Sequence, residues 1–315
     1  MATSAGLRVR EYSPSDFEPL LALGKVAFAP EMEVFGLDEQ RFRKQARLYA
    51  AVRLVQRLTG RFLFKIYVGE VGKELVASTS LSREGQAWYI GMVMVAPDHR
   101  RRGYGRALVE AACAEARARG VKRVILHVRD DNTPAKSLYL SLGFSLFERE
   151  FHFVHDLRPV RPEPPPLPSP YLLGRVGQFD RKAFELIEAC REPGSAQVYG
   201  PSYYPPLWIR LLMSLFRPQL LERDAIITDG TWAGVYTFRF TSRREAARAG
   251  VQLYRGHRGR GLESALLARA LNQATELGAP KLAVEVNEEN RDLLAACAEL
   301  GFVKAFTMEG MVREL

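Results

Sequence analysis

Apolar residues in the first half of the chain follow two different spacings. Spacings of three and four residues predict helices over 15–28, 38–58 and 104–119. Short apolar runs predict strands over 62–69, 75–81, 87–95 and 121–128. Asn132 is a suitable N-cap for a further helix, and 144–156 supplies one or two last strands. This order predicts a mixed α/β fold, whose sheet is partly antiparallel, partly parallel and flanked by helices.

The second half of the chain repeats the first at a constant offset of 158 residues. The offset is the same at three separate points: Gly103 and Gly261, Asn132 and Asn290, and Gly143-Phe144 and Gly301-Phe302. A strand over 281–286 and a helix near 290–300 are the clearest elements of the second copy. A fixed offset across unrelated motifs indicates a tandem duplication of one domain.

A proline-rich segment separates the two copies. Residues 158–170 read Arg-Pro-Val-Arg-Pro-Glu-Pro-Pro-Pro-Leu-Pro-Ser-Pro, which disfavours helix and sheet and favours an extended spacer. We therefore predict a first domain over 1–157, a linker over 158–170 and a second domain over 171–315. These ranges are called the first repeat, the linker and the second repeat below.

Composition limits the class of protein. The chain has 315 residues, of which 47% are hydrophobic and 26% charged, and it has no apolar run long enough to span a bilayer. Cys113, Cys190 and Cys297 lie far apart, which argues against a disulfide framework or a metal site and favours the cytoplasm. The net charge of +9 leaves nucleic-acid binding as an alternative, but a phosphate-bearing small ligand explains the arginine clusters at least as well.

A glycine-rich segment joins the strand over 87–95 to the helix over 104–119. It reads Arg100-Arg101-Arg102-Gly103-Tyr104-Gly105-Arg106-Ala107. Glycine lets the backbone approach a ligand closely, and the free N–H groups of a helix N-terminus bind anions. The spacing is neither that of the dinucleotide fingerprint nor that of a P-loop. The segment predicts a cradle for a pyrophosphate, although an ordinary strand-to-helix turn can have the same composition.

A second motif follows the strand over 121–128 and ends at Gly143-Phe144. Together the two motifs resemble those of the GNAT superfamily of acyl-CoA-dependent N-acyltransferases, Arg/Gln-x-x-Gly-x-Gly/Ala and Asn-x-x-Ala-x-x-x-Tyr-x-x-x-Gly-Phe. The first repeat matches every position, at Arg100, Gly103, Gly105, Asn132, Ala135, Tyr139, Gly143 and Phe144. The resemblance implies two tandem GNAT-like domains, and its layout is similar to that of mycothiol synthase.

The resemblance implies an acetyl-CoA-dependent N-acetyltransferase that acts on a primary amine, either a small molecule or a peptide N-terminus. Acetyl-CoA would be the cosubstrate, with no metal. The residues implied to bind it are Met92, Val93, Met94, Val95, Arg100, Arg101, Arg102, Gly103, Tyr104, Gly105, Arg106, Ala107, Asn132 and Ala135. Alternatives are a non-catalytic acyl-CoA-binding or regulatory module and a nucleic-acid-binding protein.

The resemblance also implies the catalytic groups. Tyr139 would protonate the departing CoA thiolate, and a phenol is suitably protonated at neutral pH. His127 lies where a related subfamily places its base, but it is equally consistent with a histidine that only packs on a strand. Glu70 and Glu84 are other candidates, and a chain of water molecules could replace a dedicated base.

The second repeat departs from the family pattern. Glu263 replaces Gly105, Leu293 replaces Ala135 and Cys297 replaces Tyr139. A carboxylate at the cradle would crowd and repel a pyrophosphate. We therefore expect the first repeat to bind acetyl-CoA and the second to be degenerate. Because two such domains can mimic a family dimer, a monomer is plausible.

Overall fold

The computed structural model describes residues 6–35, 62–157, 164–200 and 220–315, together with Arg43, Tyr49, Arg53, Gln56, Leu58 and Gly60. Its strands are β1 (Leu7–Glu11), β2 (Phe64–Val71), β3 (Glu74–Glu84), β4 (Ala87–Val95), β5 (Arg123–Arg129), β6 (Ser145–Asp156), β7 (Leu172–Arg175), β8 (Leu220–Thr228), β9 (Thr231–Phe240), β10 (Ala247–Leu253), β11 (Lys281–Asn287) and β12 (Val303–Glu314). Its helices are α1 (Phe17–Ala27), α2 (Ala29–Phe35), α3 (Tyr104–Ala118), α4 (Thr133–Ser141), α5 (Arg181–Ala189), α6 (Pro193–Tyr199), α7 (Leu262–Glu276) and α8 (Arg291–Glu299).

The two repeats share one continuous sheet. Its strand order is β1-β2-β3-β4-β5-β12-β6-β11-β10-β9-β8-β7. The last strand of the second repeat, β12, therefore lies between β5 and β6 of the first, and β6 lies between β12 and β11. Each repeat gives its last strand to the other. This exchange leaves no sheet edge at the boundary between the repeats.

The exchanged strands are related by an approximate two-fold axis. Glu150 on β6 pairs with Met308 on β12, and these two positions correspond under the 158-residue offset. On either side, Phe151 pairs with Thr307, and Arg149 pairs with Glu309. The same offset relates β5 to β11, α3 to α7 and α4 to α8. The duplication that the sequence shows is thus a duplication of the whole fold.

The sheet is covered differently on its two faces. On one face, α3 packs over the first repeat and α7 over the second, and both helices bury apolar stripes that include Leu108 and Leu266. On the other face, α1 covers β4 through Leu20 and Leu23. We call the first the α3 face and the second the α1 face.

Local sequence signals explain where the site helices begin. Asn132 and Asn290 cap α4 and α8, each accepting a hydrogen bond from a backbone N–H three residues later at 3.3 Å. Gly103 and Gly261 precede α3 and α7 with φ of 81° and 79°, which glycine adopts without strain. Equivalent residues therefore begin equivalent helices in both repeats.

The mixed α/β fold with a mixed sheet and flanking helices is confirmed. The helix predicted over 38–58 and residues 158–163 of the linker lie largely outside the described residues. The described part of the linker is not a free spacer, because Leu167 packs against the core of the second repeat. No helix among the described residues is long and apolar enough to cross a bilayer.

Because each repeat completes the other's sheet, cutting the linker should not separate them. We expect a protein with a protease site inserted within 158–163 to elute as a single species of unchanged size after cleavage. Size-exclusion chromatography before and after cleavage measures this, and the same sample in denaturant is the control in which the two fragments must separate. Elution as two independent fragments under native conditions would contradict the strand exchange.

Candidate functional site

The loop between β4 and α3 forms a cradle of backbone N–H groups. Arg101 and Gly103 both have left-handed backbone conformations, with φ of 63° and 81°. Arg100 Nε donates to the carbonyl oxygen of Val95, at the end of β4, at 3.2 Å. The first turn of α3 has no side-chain cap. Its N–H groups are therefore available to an anion, as the sequence predicts.

Positive charge surrounds this cradle. Arg100, Arg101, Arg102 and Arg106 are all exposed. Arg101 and Arg102 contact no carboxylate in the part of the chain that the structure describes. Arg106 donates to Ser141 Oγ at 2.6 Å and lies 3.9 Å from Glu110. Because few carboxylates balance these arginines, the cradle favours a negatively charged ligand.

The strand that leads into the cradle has a bulge. The pairing of β3 with β4 passes from Ser80–Gly91 to Ser78–Met94, so β4 has one extra residue opposite Thr79. Met92, within the bulge, has a φ of 51°. A bulge turns backbone N–H groups out of the sheet ladder. Met94 is buried under α1, while Val93 and Val95 pack towards α3, so any polar role of this segment belongs to its backbone.

β4 and β5 part just before the bulge. They are paired in parallel only at Trp88–Val124 and Tyr89–Ile125. Beyond these pairs the two strands are no longer paired, which leaves a gap in the sheet next to the bulge. A cavity of about 120 Å³ lies beneath α1 beside this gap, lined by apolar side chains that include Met92.

Tyr139 is buried among apolar residues beside the cradle. It is 5% exposed and belongs to the same core as Tyr104 and Leu108 of α3. Burial raises its pKa above the usual range, and the charge of Tyr89 raises it further. The phenol is therefore protonated at neutral pH. The Asn132 side chain accepts a hydrogen bond from the Ala135 N–H at the start of α4. Both residues therefore have a structural role as part of the helix cap.

The second repeat has the same cradle backbone with different contents. Gly259 and Gly261 have φ of 68° and 79°, and Arg258 Nε donates to the Leu253 carbonyl at 3.2 Å, as its counterpart does in the first repeat. Glu263, however, is only 3% exposed, and its Oε1 accepts from the Gly259 N–H at 3.3 Å. Burial raises the pKa of this carboxyl. The Glu263 carboxylate thus accepts the hydrogen bond from the Gly259 N–H that a bound phosphate would accept.

Other groups fill the rest of the second cradle. A Cβ atom at Gly259 would lie 2.9 Å from Asp292, and one at Gly261 would lie 3.6 Å from Pro168 of the linker. Arg258 forms an ion pair with the buried Glu192. In addition, β10 pairs with β9 in continuous register, without the bulge of β4. The second repeat therefore keeps the loop but not the open anion site or the turned-out backbone.

His127 belongs to a buried hydrogen-bonded cluster on the α1 face. Its Nε2 lies 3.1 Å from Glu148 Oε1, and Tyr199 OH donates to the same oxygen at 2.8 Å. Ser195 donates to the other oxygen of Glu148. Tyr199 and Ser195 belong to α6, so the second repeat supplies one wall of a site in the first.

Gly310 of β12 makes this cluster possible. In the sheet it stands directly between His127 on β5 and Glu148 on β6. A Cβ atom there would lie 2.6 Å from Glu148 Cγ and 3.0 Å from a ring carbon of Phe147. Because Gly310 has no side chain, His127 and Glu148 meet across the intervening strand.

Neighbouring charges shift the pKa values in the cluster. Burial alone would lower the pKa of His127, but its hydrogen bond to Glu148 and the charge of Glu150 raise the pKa overall. Burial opposes ionisation of Glu148, but hydrogen bonds from His127 and Ser195 lower its pKa overall. Burial and the charge of Glu148 raise the pKa of Glu150 to about 7.

The sequence interpretation missed Glu148 and Glu150. Ligand atoms of His127, Glu148 and Glu150 lie within 4.8 Å of one another, and such a set can hold either a metal ion or an ammonium group. The absence of a metal stays a prediction. Glu84 is exposed nearby, and its charge contributes to the raised pKa of His127. Glu70 instead forms an ion pair with Arg10. Alternating polar residues along β6 were the available signal for the missed carboxylates.

Comparison with known proteins identifies the repeated unit. A family model described as the acetyltransferase (GNAT) family matches residues 32–144 and 190–302. The two matched ranges differ by the same offset of 158 residues, and together they cover more than half of the chain.

Two kinds of curated relative match in sequence. The mycothiol acetyltransferase of Thermobispora bispora is 34% identical over 148 residues, covering 44% of this chain and 47% of that protein. The [ribosomal protein bS18]-alanine N-acetyltransferase of Escherichia coli is 47% identical over 53 residues, covering 17% of this chain and 36% of that protein. The chain thus matches about half the length of the first relative and less of the second.

Solved structures match over nearly the whole chain and show the fold. A tandem GNAT protein from the clavulanic acid biosynthesis pathway aligns with a TM-score of 0.62 and 18% identity, covering 98% of both chains. A GCN5-related N-acetyltransferase from Sphaerobacter thermophilus aligns with a TM-score of 0.68 and 18% identity, covering 98% of this chain and 95% of that one.

Gly310→Ala tests the contact across β12. The added methyl group must displace Glu148 or Phe147, so we expect a loss of about 1–3 kcal/mol in the free energy of unfolding. Urea unfolding measures this loss. Gly177→Ala is the matched control, because a Cβ atom at Gly177 meets nothing within 4 Å. Equal stability of the two variants would show that β6 and β12 are not packed as described.

Proposed function

The chain belongs to the acetyltransferase (GNAT) family, and on that premise we propose that it transfers an acetyl group from acetyl-CoA to a primary amine at a single site in its first repeat. The observation that carries this proposal is the contrast between the two cradles. Both have the same backbone, but the first is open and positively charged, whereas Glu263, Asp292 and the linker fill the second.

We place the pyrophosphate of acetyl-CoA at the cradle of the first repeat. The N–H groups of the loop and of the first turn of α3 would bind its oxygens, and Arg100, Arg101 and Arg102 would neutralise its charge. Gly105 adds no side chain to this first turn, and a Cβ atom there would lie 3.2 Å from Leu138 of α4. Arg106 adds positive charge at the rim.

The thioester would then reach the gap between β4 and β5. The backbone N–H groups that the bulge at Met92 turns out of the ladder would bind the acetyl carbonyl and stabilise the negative charge that develops on it. The second repeat lacks this bulge, which agrees with a single active site. The apolar cavity beneath α1 would accept the methyl group or an apolar part of the acceptor.

The acceptor amine would approach from the α1 face. Three carboxylates lie near one another there, those of Glu84, Glu148 and Glu150. An ammonium group is attracted by such a cluster before it loses its proton. The same electrostatics disfavours a negatively charged acceptor at this site. The curated relatives act, by their names, on different acceptors, so neither acceptor carries over to this chain.

We assign proton removal to Glu150 rather than to His127. A base works best when its pKa lies near the operating pH, as that of Glu150 does at about 7. His127 shares its Nε2 with Glu148 and Tyr199, and its raised pKa increases the protonated fraction, which cannot accept a proton. We therefore treat His127 as a positioning residue that holds the charge of Glu148. Tyr139 remains the proposed acid for the CoA thiolate, since its phenol is protonated at neutral pH.

Gly105→Glu should copy the second cradle into the first. We expect affinity for acetyl-CoA to fall at least about tenfold, equivalent to about 1.4 kcal/mol, because the new carboxylate would compete with the pyrophosphate for the loop N–H groups. Calorimetry measures affinity and stoichiometry, and release of free CoA thiol with a panel of primary amines measures turnover. Gly105→Ala separates crowding from charge.

Glu263→Gly is the matched control in the second repeat. It should leave one acetyl-CoA per chain, because Asp292 and the linker still fill that cradle. Two equal sites in the unaltered protein, or unchanged affinity of Gly105→Glu, would contradict the placement. No thiol release with any amine, despite tight binding, would contradict the transferase activity itself.

The pH dependence of kcat/KM tests the assignment of Glu150. Its carboxylate accepts a proton only when ionised, so the ratio of wild-type rate to that of Glu150→Gln should rise as pH rises through about 7 and then level off. We expect a plateau ratio of about 10²–10⁴. Tyr139→Phe should lower kcat by a similar factor, but its kcat/KM should still rise with pH as that of the wild type does. Parallel profiles for the wild type and Glu150→Gln would exclude Glu150 as the base.

A further inference from the structure

A cavity of about 260 Å³ lies on the α1 face of the second repeat. Strands β8 to β11 form its floor, and Ile187 of α5 lines one side. Under the 158-residue offset, Glu285 in this cavity corresponds to His127 of the proposed acetyl-transfer site. The cavity is thus the counterpart of the acceptor site, but different side chains line it.

Three arginines line this cavity on adjacent strands. Arg239 of β9 and Arg248 of β10 stand directly opposite each other in the antiparallel pair. Arg223 of β8 pairs with Thr237 of β9, which is two residues before Arg239. Arg223 and Arg239 are therefore diagonal neighbours on the same face of the sheet. Like charges directly opposite each other destabilise a sheet. Such an arrangement costs stability unless an anion lies between the guanidinium groups.

The protein's own carboxylates balance this charge only in part. Glu285 lies 3.2 Å from Arg248, and Asp180 at the start of α5 acts on Arg223. Arg239 is exposed and contacts no carboxylate in the ranges described above. The acceptor site of the first repeat is acidic, so the two counterpart sites have opposite charge.

A buried donor in the cavity wall, Arg223 Nε, also has no hydrogen-bond partner among the described residues. Arg223 is held in place, because its guanidinium lies 5.0 Å from the centre of the Phe184 ring and donates to the Gln178 carbonyl at 2.6 Å. A buried donor without a partner is costly, and a bound acceptor would satisfy it.

We propose that this cavity binds a small organic oxyanion, a phosphate or a carboxylate, at a site separate from acetyl transfer. Arg223, Arg239 and Arg248 would bind its oxygens, and guanidinium groups bind both kinds of oxyanion in a bidentate manner. The amide of Gln252 would supply a further hydrogen bond. The apolar side of the cavity, at Ile187, would contact the carbon skeleton.

Calorimetry on the full chain tests this in a phosphate-free buffer of low ionic strength. Saturating acetyl-CoA first occupies the open cradle of the first repeat, and inorganic phosphate and succinate are then the two probes. We expect at least one probe to bind with a stoichiometry of one, and the stronger probe identifies the kind of oxyanion. Arg239→Ala and Arg239→Gln should each weaken binding at least tenfold. Arg181→Ala, which removes an exposed arginine of α5 paired with Glu185, should leave binding unchanged.

Thermal unfolding supplies a second readout. Without probe, Arg239→Ala should unfold at the same temperature as the wild type or higher, because repulsion from Arg248 is removed. With acetyl-CoA present throughout, added probe should raise the unfolding temperature of the wild type but not that of the variant. The proposal is overturned if neither probe binds the wild type or if Arg239→Ala binds as tightly as the wild type.

Discussion

The place of β12 between β5 and β6 is the constraint on which the rest of the structure depends. The last strand of the first repeat, β6, pairs with β12 and β11 of the second, so without β12 nothing would join it to β5. With it, His127 and Glu148 stand one strand apart, at the separation that a histidine and a glutamate can bridge over a glycine. The proposed acceptor site is therefore a product of the exchange, although its histidine and carboxylates all belong to the first repeat.

The duplication has produced two unlike sites from one backbone. In the first repeat, the cradle is open and the α1 face is acidic. In the second, a carboxylate fills the cradle and the α1 face carries arginines. The two repeats are also not independent, because α6 of the second places Ser195 and Tyr199 on Glu148 of the first. A repeat whose cradle is filled by its own side chains can still be retained because its partner needs this wall.

The sequence predicts this molecule well where the signals are local. The fixed offset predicts corresponding helices and strands, and Asn132 and Asn290 both cap helices as expected. The identity of Glu263 predicts a changed second cradle, and the structure shows how its carboxylate takes a loop N–H. Alternating polarity in a strand, however, tells which face a residue lies on and not which strand lies beside it.

The features that the sequence could not predict depend on which strands are neighbours in the sheet. Glu148 becomes a partner of His127 only through β12, which lies more than 150 residues further along the chain. Tyr199 reaches the same oxygen from a different repeat. The raised pKa of Glu150 follows from burial beside Glu148, so it too depends on non-local packing. The sequence therefore predicts the cofactor half of the proposed site much better than the acceptor half.

The strand exchange also determines when the molecule can fold during its synthesis. A protein chain leaves the ribosome from its amino terminus, and its domains generally fold in that order. Here the first repeat emerges with β5 lacking its neighbour, and it must wait until β12 has been translated. Exposed strand edges invite pairing with other chains during this interval. A ribosome that stalls anywhere in the second repeat releases a chain whose first repeat is fully translated and still has no finished sheet.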